Sequence, residues 1–565
     1  MAAAPLTVRE TVFLFDNASA NLFQRFEEVG YALWLGSGIS FGRMKKLSDI
    51  IRDALAFLHS QIDPANPDCR FRVALRRALK LALTDVQINS VDRTQPVTDW
   101  LDIDAILSQL TNNYARLLDI TVDGEDDDFL LWRGIGVTAT FGDPAIEPDA
   151  EHLCIAILAL EGVVPEILTA NWDGLIERAI SELAPNANIV NVCVRPEDVR
   201  QAGYSVQLYK FHGCAILATR DEATYRPFLI ARQSQIDRWV VDHPVYLQRL
   251  ISIIVSKATL MIGLSAQDAN IRLVFNVAEN TLNWPWPGDF PAIVFSQMEI
   301  GEDQRRLLKN VYRNFWIPAN RAQIEAGSLI ATWGKQLLFA LVLQVLWGKL
   351  RRLIRTLRCN LPAQELEQLE PGLQALKYMI AEACTADHYS FVRRFIQNWS
   401  RILGLFRDGR VPADPHLYHF LTMSPASHIE HDVGLPATGL QELAVVVAIL
   451  GTGVEQGFWK LNVADWTDPS SGGFEVNTPV ARTRVFLASS GEAALHLYTS
   501  GRLSLGDGSI IIHSKSIVEP KPRSPARFRG RTGAVGLRQI SISGILGEES
   551  TAAALTRRFR EQLTL

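Results

Sequence analysis

Short, mostly apolar runs alternate with helical patterns through the first half of the chain. Such runs, without regular polar alternation, are typical of strands that are covered on both faces of a parallel sheet. They lie at 31–35, 166–169, 189–194, 206–211, 259–263 and 292–295. Helical periodicity separates several of them, for instance at 174–183 and 245–255. This alternation predicts βαβ units and an α/β domain over residues 1–300, with a Rossmann-like, doubly wound parallel sheet.

The interval between the first two predicted strands is long, about 130 residues, and its pattern is mainly helical. We predict a helical insertion at about 45–160, beside the active-site cleft. Its predicted helices lie at 47–58, 73–83, 103–117 and 152–160. The acidic segment 123–128 (DGEDDD) is interpreted as a solvated loop, with metal binding as the alternative.

The parallel-sheet pattern fades after residue 300. A helical region is predicted at 301–410, and a mixed α/β domain at 411–565 with strands at 483–488, 509–513 and 537–545 and a last helix at 550–563. The most apolar stretch, 337–350, is shorter than the roughly 20 apolar residues that cross a bilayer. It therefore predicts a buried helix and no membrane span.

Composition narrows the function classes only a little. Apolar residues make up 48% and charged residues 21% of the chain, which fits a folded globular protein. The net charge of −5 gives no general attraction to nucleic acid or membrane, so direct nucleic-acid binding rests on the basic segment 515–531 and stays open. Six separated cysteines without a CxxC pair, and no secretory signal pattern, predict a reducing cytoplasm.

Glycine-rich and amide-bearing segments follow the first two predicted strands. Gly36 and Gly38 (LGSGIS) would let backbone N–H groups approach phosphate oxygens, although such turns are common. In TANWD, Asn171 could hold a ribose hydroxyl or position a water. Asp173 could bind a carboxamide, and a simple helix cap is the alternative for this segment.

Two further segments follow later strands. His212, between an apolar strand and Gly213, suits general base chemistry near neutral pH, with a structural hydrogen bond as the alternative. The turn GLSAQDAN offers the polar groups of Ser265, Asp268 and Asn270 to a ribose or phosphate, or it is only a polar turn.

The order of these motifs resembles the sirtuin (silent information regulator) family, whose runs are GAGIS, TQNID, HG and GTS; here they are GSGIS, TANWD, HG and GLS. The resemblance covers about residues 25–300. It implies a diphosphate site, a nicotinamide-ribose site, a base and an adenosine site. Gly36, Ser37, Gly38 and Ser40 would line the diphosphate, and Asn171 and Asp173 would contact the nicotinamide ribose and its carboxamide. His212 would be the base. Gly263 and Ser265, with the following loop that includes Asp268, would hold the adenosine.

Two departures change what the resemblance implies. Deacylating sirtuins carry two CxxC zinc pairs between the histidine and the GTS strand, whereas only Cys214 lies in that interval here, so no zinc is expected. The segment GIPDFR is also absent. These features look like the divergent sirtuin-like domains of bacterial antiphage systems, which hydrolyse NAD⁺ with the asparagine and histidine as the catalytic pair.

The resemblance therefore implies an NAD⁺ hydrolase that releases nicotinamide and ADP-ribose and acts as a regulated antiphage effector. Alternatives are a NAD-dependent protein deacylase, an ADP-ribosyltransferase, and a non-catalytic NAD or ADP-ribose sensor or scaffold. It also implies a homo-oligomer and a partner protein, either a hexameric translocase-type ATPase or a short prokaryotic Argonaute. Two HxxH pairs within 414–432 are interpreted as ordinary surface or core histidines, with a metal site as the alternative.

Overall fold

The computed structural model describes residues 4–264, 269–384, 386–463, 468, 471–479, 481–503, 508–514 and 538–564. Seven parallel strands form its main sheet. They are β1 Tyr31–Leu35, β2 Glu166–Thr169, β3 Val190–Cys193, β4 Val206–Lys210, β5 Ala258–Ile262, β6 Ile293–Ser296 and β7 Leu329–Ile330. The strand order is β3-β4-β2-β1-β5-β6-β7. The chain therefore builds outward from β1 on one side and then on the other, which confirms the Rossmann-like prediction.

Helices cover both faces of this sheet, and others form the insertion between β1 and β2. Those up to β2 are α1 Val8–Asp16, α2 Ala20–Glu27, α3 Leu47–Ser60, α4 Arg70–Lys80, α5 Asp85–Ser90, α6 Ile103–Thr111, α7 Tyr114–Leu118, α8 Val137–Phe141 and α9 Ala150–Leu160. Those up to β7 are α10 Leu175–Leu183, α11 Ala215–Arg220, α12 Glu222–Tyr225, α13 Gln233–Asp242, α14 Pro244–Ser256, α15 Ala269–Ala278, α16 Glu302–Tyr312 and α17 Pro318–Gly327. The sheet thus extends beyond residue 300, because β7 pairs with β6; the domain division proposed from sequence stays a prediction.

The predicted insertion contains a core of its own. Leu55, Leu75, Leu107 and Leu131 are all buried in it, apart from the main core. Helix α9, which the sequence placed in the insertion, is buried along its whole length and packs between α10 and α18 (Gly334–Thr356) in the main core. A helix that is apolar all round must be covered on every side, which explains this placement.

The acidic segment of the insertion is a largely exposed loop, as predicted, and several of its carboxylates pair with arginines. Arg226 pairs with Asp126 at 2.9 Å and with Asp128 at 2.6 Å, and Arg70 pairs with Glu125 at 2.9 Å. The Arg226 contacts tie the insertion to the segment that follows β4, whereas the Arg70 pair lies within the insertion. The arginines are far away in sequence, so local charge alone could not predict the pairing.

Helix α18 is the centre of the C-terminal half and packs against α1, α9 and three later helices. The remaining helices are α19 Ala363–Glu367, α20 Glu370–Ala383, α21 His388–Asp408, α22 Leu440–Glu455, α23 Gly491–Thr499, α24 Ile542–Glu548 and α25 Ala552–Thr564. No helix among the described residues has the length and apolar character to cross a membrane. The predicted buried helix at 337–350 is confirmed, because this part of α18 is almost entirely buried.

A second, five-stranded sheet lies in the last part of the chain. Its strands are β8 Lys460–Val463, β9 Phe474–Asn477, β10 Arg482–Ala488, β11 Ser509–His513 and β12 Gln539–Ser541, in the order β12-β11-β10-β9-β8. The strand predicted at 537–545 is wrong beyond Ser541, whose side chain accepts the Gly544 N–H at 3.1 Å and begins α24. The whole basic segment 515–531, which the sequence predicts as a loop, lies outside the described residues, as do the residues that follow it to 537.

Candidate active site at the carboxyl edge of the parallel sheet

Four loops lie side by side at the carboxyl edge of the main sheet. They follow the adjacent strands β4, β2, β1 and β5 and begin with His212, Asn171, Gly36 and Gly263 in the regions predicted from sequence. Parallel strands all end at one edge, so the topology brings the four sequence motifs together. In open α/β sheets, ligands bind at this edge where the winding direction changes, which here is between β1 and β5.

The glycines of two of these loops allow close packing across the switch point. The Gly36 N–H donates to Ile262 O and the Gly38 N–H to Gly263 O, both at 3.0 Å. A Cβ on Gly36 would lie 2.3 Å from Gly263 O, and one on Gly38 would lie 2.6 Å from Gly263 Cα. Gly263 has a φ of +64°, which side chains rarely adopt. Loop packing therefore already requires these three glycines.

Access to ligand differs among the residues assigned to the diphosphate and adenosine. Ser37 and Gly38 are exposed at the edge of the sheet, whereas Ser40 is buried. Ser265 and Asp268 lie outside the described residues. Contact of any of them with a diphosphate or adenosine stays a prediction.

Asn171 and His212 occupy matching positions on neighbouring strands. Thr169 of β2 is paired with Lys210 of β4. Asn171 lies two residues after Thr169, and His212 lies two residues after Lys210. Adjacent strands are about 4.8 Å apart, so the two loops start next to each other. Asn171 is half-buried; its Nδ2 donates to Gly36 O at 3.2 Å and its N–H donates to Thr169 Oγ1 at 3.0 Å. Its amide is thus oriented by the loop that follows β1.

His212 is buried and bonded to Asn270, in the first turn of α15. Its Nε2 lies 3.0 Å from Asn270 Nδ2. Since an amide N–H donates, this arrangement makes Nε2 the nitrogen with the free electron pair. Gly213, next to His212, has a φ of +91°, and a Cβ there would lie 2.5 Å from Phe228 O. The sequence marked Asn270 only as one polar group of a turn, because a contact 58 positions away leaves no local signal.

Ser40 and Asp173 are joined behind the loop that carries Asn171. Ser40 Oγ donates to Asp173 Oδ2 at 3.0 Å, and Asp173 Oδ1 accepts the N–H of Leu175, the first residue of α10, at 3.2 Å. His152 of α9 completes the group, with its Nε2 3.3 Å from Ser40 Oγ. The N-cap position of α10 is Gly174, without a side-chain cap bond, so carboxamide binding by Asp173 stays a prediction. His152 was missed, and its only sequence signal is a position three residues after Asp149 at a helix start.

Lys210 lies fully buried beneath the same loop. Its Nζ donates to the Asp173 carbonyl, to Glu177 Oε1 at 2.8 Å and to Cys214 Sγ at 3.4 Å. Burial opposes the charge, but the neighbouring Cys214 and Glu177 outweigh it and raise the pKa of Lys210. A fixed cation therefore supports the backbone of the 171–173 loop from below. This lysine was not identified from the sequence, because there it is only one polar residue at the end of a predicted strand.

A charged cluster lies next to His152, at the start of α9. Asp149 Oδ2 is 3.0 Å from Lys335 Nζ and 3.5 Å from Arg43 Nε. The adjacent Glu151 is buried, and its Oε2 lies 3.9 Å from Lys335 Nζ. Burial raises the pKa of Glu151 to about 8, because Lys335 compensates only in part.

Glu151→Gln is expected to stabilise the protein increasingly as the pH rises. The folded state keeps a proton on Glu151 up to about pH 8, whereas an unfolded glutamate loses it near pH 4.5. Stability from this group is therefore fully present below pH 4.5 and is lost as the pH rises through about 8. The variant keeps a neutral side chain, so its gain over wild type should be below about 1 kcal/mol at pH 5 and should rise to about 4 kcal/mol at pH 8.5. Urea unfolding at several pH values measures this difference.

Glu455→Gln, at the exposed end of α22, is the matched control and should show no pH-dependent gain. A gain for Glu151→Gln that is the same at pH 5 and pH 8.5 would contradict the assignment.

Comparison with known families gives one match. The model of the SIR2-like domain family matches residues 165–312, from the start of β2 to the end of α16. Asn171, His212 and Asn270 lie inside the match, and the glycine loop after β1 lies before it. SIR2-like domains are generally NAD-dependent enzymes. No curated protein matches the chain.

A metal site would need several ligating side chains close together in the part of the chain that the structure describes. There, no group of three or more histidine, cysteine, aspartate or glutamate side chains is placed to hold a metal ion, the two HxxH pairs included. The expectation of a zinc-free site stays a prediction.

Proposed function

We propose that the protein is an NAD⁺ hydrolase that cleaves the bond between ribose C1′ and the nicotinamide nitrogen. The observation that carries this proposal is the matched placement of Asn171 and His212 at the ends of adjacent strands, beside the switch point of the sheet. The SIR2-like match over these strands supports NAD⁺ as the substrate.

The proposed reaction needs a positioned water, a base and support for positive charge on the ribose. Nicotinamide leaves with the bonding electron pair, and the oxygen of water adds to C1′ while its proton goes to a base. Asn171 donates its Nδ2 to Gly36 O, so its amide oxygen is the group that would orient the water or a ribose hydroxyl. His212 Nε2 would accept the proton, with the substrate hydroxyl or water replacing the Asn270 amide as its partner.

The test is nicotinamide release from NAD⁺ by the purified protein, with and without candidate partners. Asn171→Ala is expected to lower the rate by about 10²–10³-fold, because it removes a preorganised polar group at the reacting centre. Asn21→Ala, on the exposed side of α2, is the matched control and should keep the wild-type rate.

Other outcomes distinguish the alternatives. Release that strictly requires an acylated peptide would identify a deacylase, and ADP-ribose attached to a protein would identify a transferase. Tight NAD⁺ binding without release under every condition would identify a sensor or scaffold and would overturn the proposal.

We further propose that this activity is an antiphage effector function of a homo-oligomer that acts with a translocase-type ATPase or a short Argonaute. The support is the motif resemblance in the sequence, together with the need to restrain an enzyme that depletes NAD⁺. Light scattering on the purified chain tests the assembly, and phage challenge of cells expressing wild type or Asn171→Ala tests the role. A monomer that protects no cells would contradict both.

A further inference from the structure

A completely buried histidine lies directly behind the candidate site. His152 is on α9, has no exposed surface, and uses both ring nitrogens in hydrogen bonds. A histidine among the apolar residues of a fully buried helix is costly unless its polar atoms are satisfied. The two hydrogen bonds of its ring nitrogens show which groups His152 holds in place.

One ring nitrogen caps the helix. The Asp149 N–H donates to His152 Nδ1 at 3.1 Å, while the Asp149 carboxylate accepts the Ala150 N–H at 2.7 Å. This is a capping box with histidine at the third helical position. Because Nδ1 accepts a hydrogen bond here, the proton of the neutral ring must be on Nε2.

The other nitrogen faces the site and begins a directed chain of hydrogen bonds. His152 Nε2 lies 3.3 Å from Ser40 Oγ, and a protonated Nε2 donates to it. The Ser40 hydroxyl then cannot donate to His152. It donates instead to Asp173 Oδ2 at 3.0 Å. Asn171 Nδ2 also lies 3.5 Å from Ser40 Oγ. The tautomer of His152 therefore decides which way the Ser40 hydroxyl points.

Burial keeps the His152 ring neutral near physiological pH, while the Asp149 N–H selects its tautomer. Desolvation lowers the pKa of His152 to about 4, although Asp173 and Asp149 favour the charged ring. The ring is then neutral at physiological pH, and it has no surface with which to touch a substrate.

The end of this hydrogen-bond chain that lies farther from the site is held by the C-terminal half of the protein. Asp149, whose N–H bonds to His152, is paired through its carboxylate with Lys335, in the first turn of α18. Burial opposes ionisation of this carboxyl, but the Ala150 N–H and Lys335 outweigh it and lower the pKa of Asp149. The start of α9 is thus fixed between the site and α18.

We propose that His152 is a positioning residue for the reaction, which holds the Ser40 hydroxyl toward Asp173 and so fixes the loop that presents Asn171. This inference rests on the proposed function for its kinetic consequence. A purely structural histidine would serve only as the cap of α9.

His152→Gln separates the two roles. Glutamine is a standard capping-box residue whose amide oxygen can accept the Asp149 N–H. It does not place a ring donor at Ser40. We expect kcat to fall about 10- to 100-fold, as for a small displacement of a reacting group, with KM and the thermal midpoint nearly unchanged. Ser40→Ala should lower kcat similarly, and the double variant should be no slower than the slower single variant, because both break the same chain.

A second measurement does not depend on enzymatic activity. In wild-type protein with ¹⁵N-labelled histidine, NMR should detect one ring that stays neutral at pH 5, with its proton on Nε2, and this signal should be missing in His152→Gln. A proton on Nδ1, additive losses in the double variant, or wild-type kcat in His152→Gln would each overturn the proposal. If wild-type protein releases no nicotinamide, the hydrolase proposal fails, and the NMR result decides the hydrogen-bond chain by itself.

Discussion

His212→Ala is expected to lower nicotinamide release from NAD⁺ by about 10³-fold or more. General base catalysis contributes about 10²–10⁴-fold, and the loss of the ring also removes one hydrogen-bond partner of Asn270. Because His212 is assigned to proton transfer and not to holding the dinucleotide, the dissociation constant of NAD⁺ should change by only a few fold. Single-turnover release and calorimetric titration with NAD⁺ measure the two quantities separately.

The matched control is His416→Ala, since His416 is exposed in the C-terminal half. It should release nicotinamide at the wild-type rate. Unchanged turnover in His212→Ala would show that the base is elsewhere, whereas equal losses of turnover and NAD⁺ binding would give His212 a binding role.

Lys349→Met is expected to cause the largest loss of stability. Lys349 on α18 and Glu161 at the end of α9 form an ion pair at 2.6 Å, and neither side chain is exposed. The Lys349 Nζ also donates to Glu161 O and Thr422 O, both at 2.7 Å. Removing the lysine leaves a buried carboxylate without its counter-charge, which costs about 3–5 kcal/mol. The midpoint and slope of urea unfolding measure this loss.

The double variant Lys349→Met/Glu161→Gln is the decisive comparison. It removes both charges, while Tyr418 OH still donates to the remaining side-chain oxygen as it does to Glu161 Oε1, at 2.8 Å. We therefore expect it to recover a large part of the lost stability. Lys309→Met, exposed on α16, should have little effect. A loss below about 1 kcal/mol in Lys349→Met would contradict a central role for the pair.

The sequence predicted the main sheet well because each strand has a local signal. Runs such as 31–35 and 258–262 are apolar on both faces, and burial of the whole strand is the only arrangement that satisfies them. The prediction was weaker where one residue changed the outcome, as at Ser541, whose helix cap ends a strand-like run. Beyond residue 300, β7 has only two residues, too few for a visible pattern.

The candidate site was predictable where the chemistry lies at strand ends. Asn171 and His212 follow apolar runs, and the resemblance of the motif order to the sirtuin family selected them from many polar turns. Their partners could not be predicted. Asn270 meets His212 across 58 positions, and His152 meets Ser40 across 112.

The sequence by itself determined the alternation of strands and helices, the positions of the glycine turns, and which loops carry amide and imidazole groups. These properties depend on periodicity, capping and backbone freedom, which act over a few residues. Only the tertiary structure decided that β4, β2, β1 and β5 are neighbours, that Ser40 and Asp173 lie behind the surface, and that His152 orients them. Those facts depend on which distant segments pack together, and packing satisfies buried polar groups through partners that no local pattern specifies.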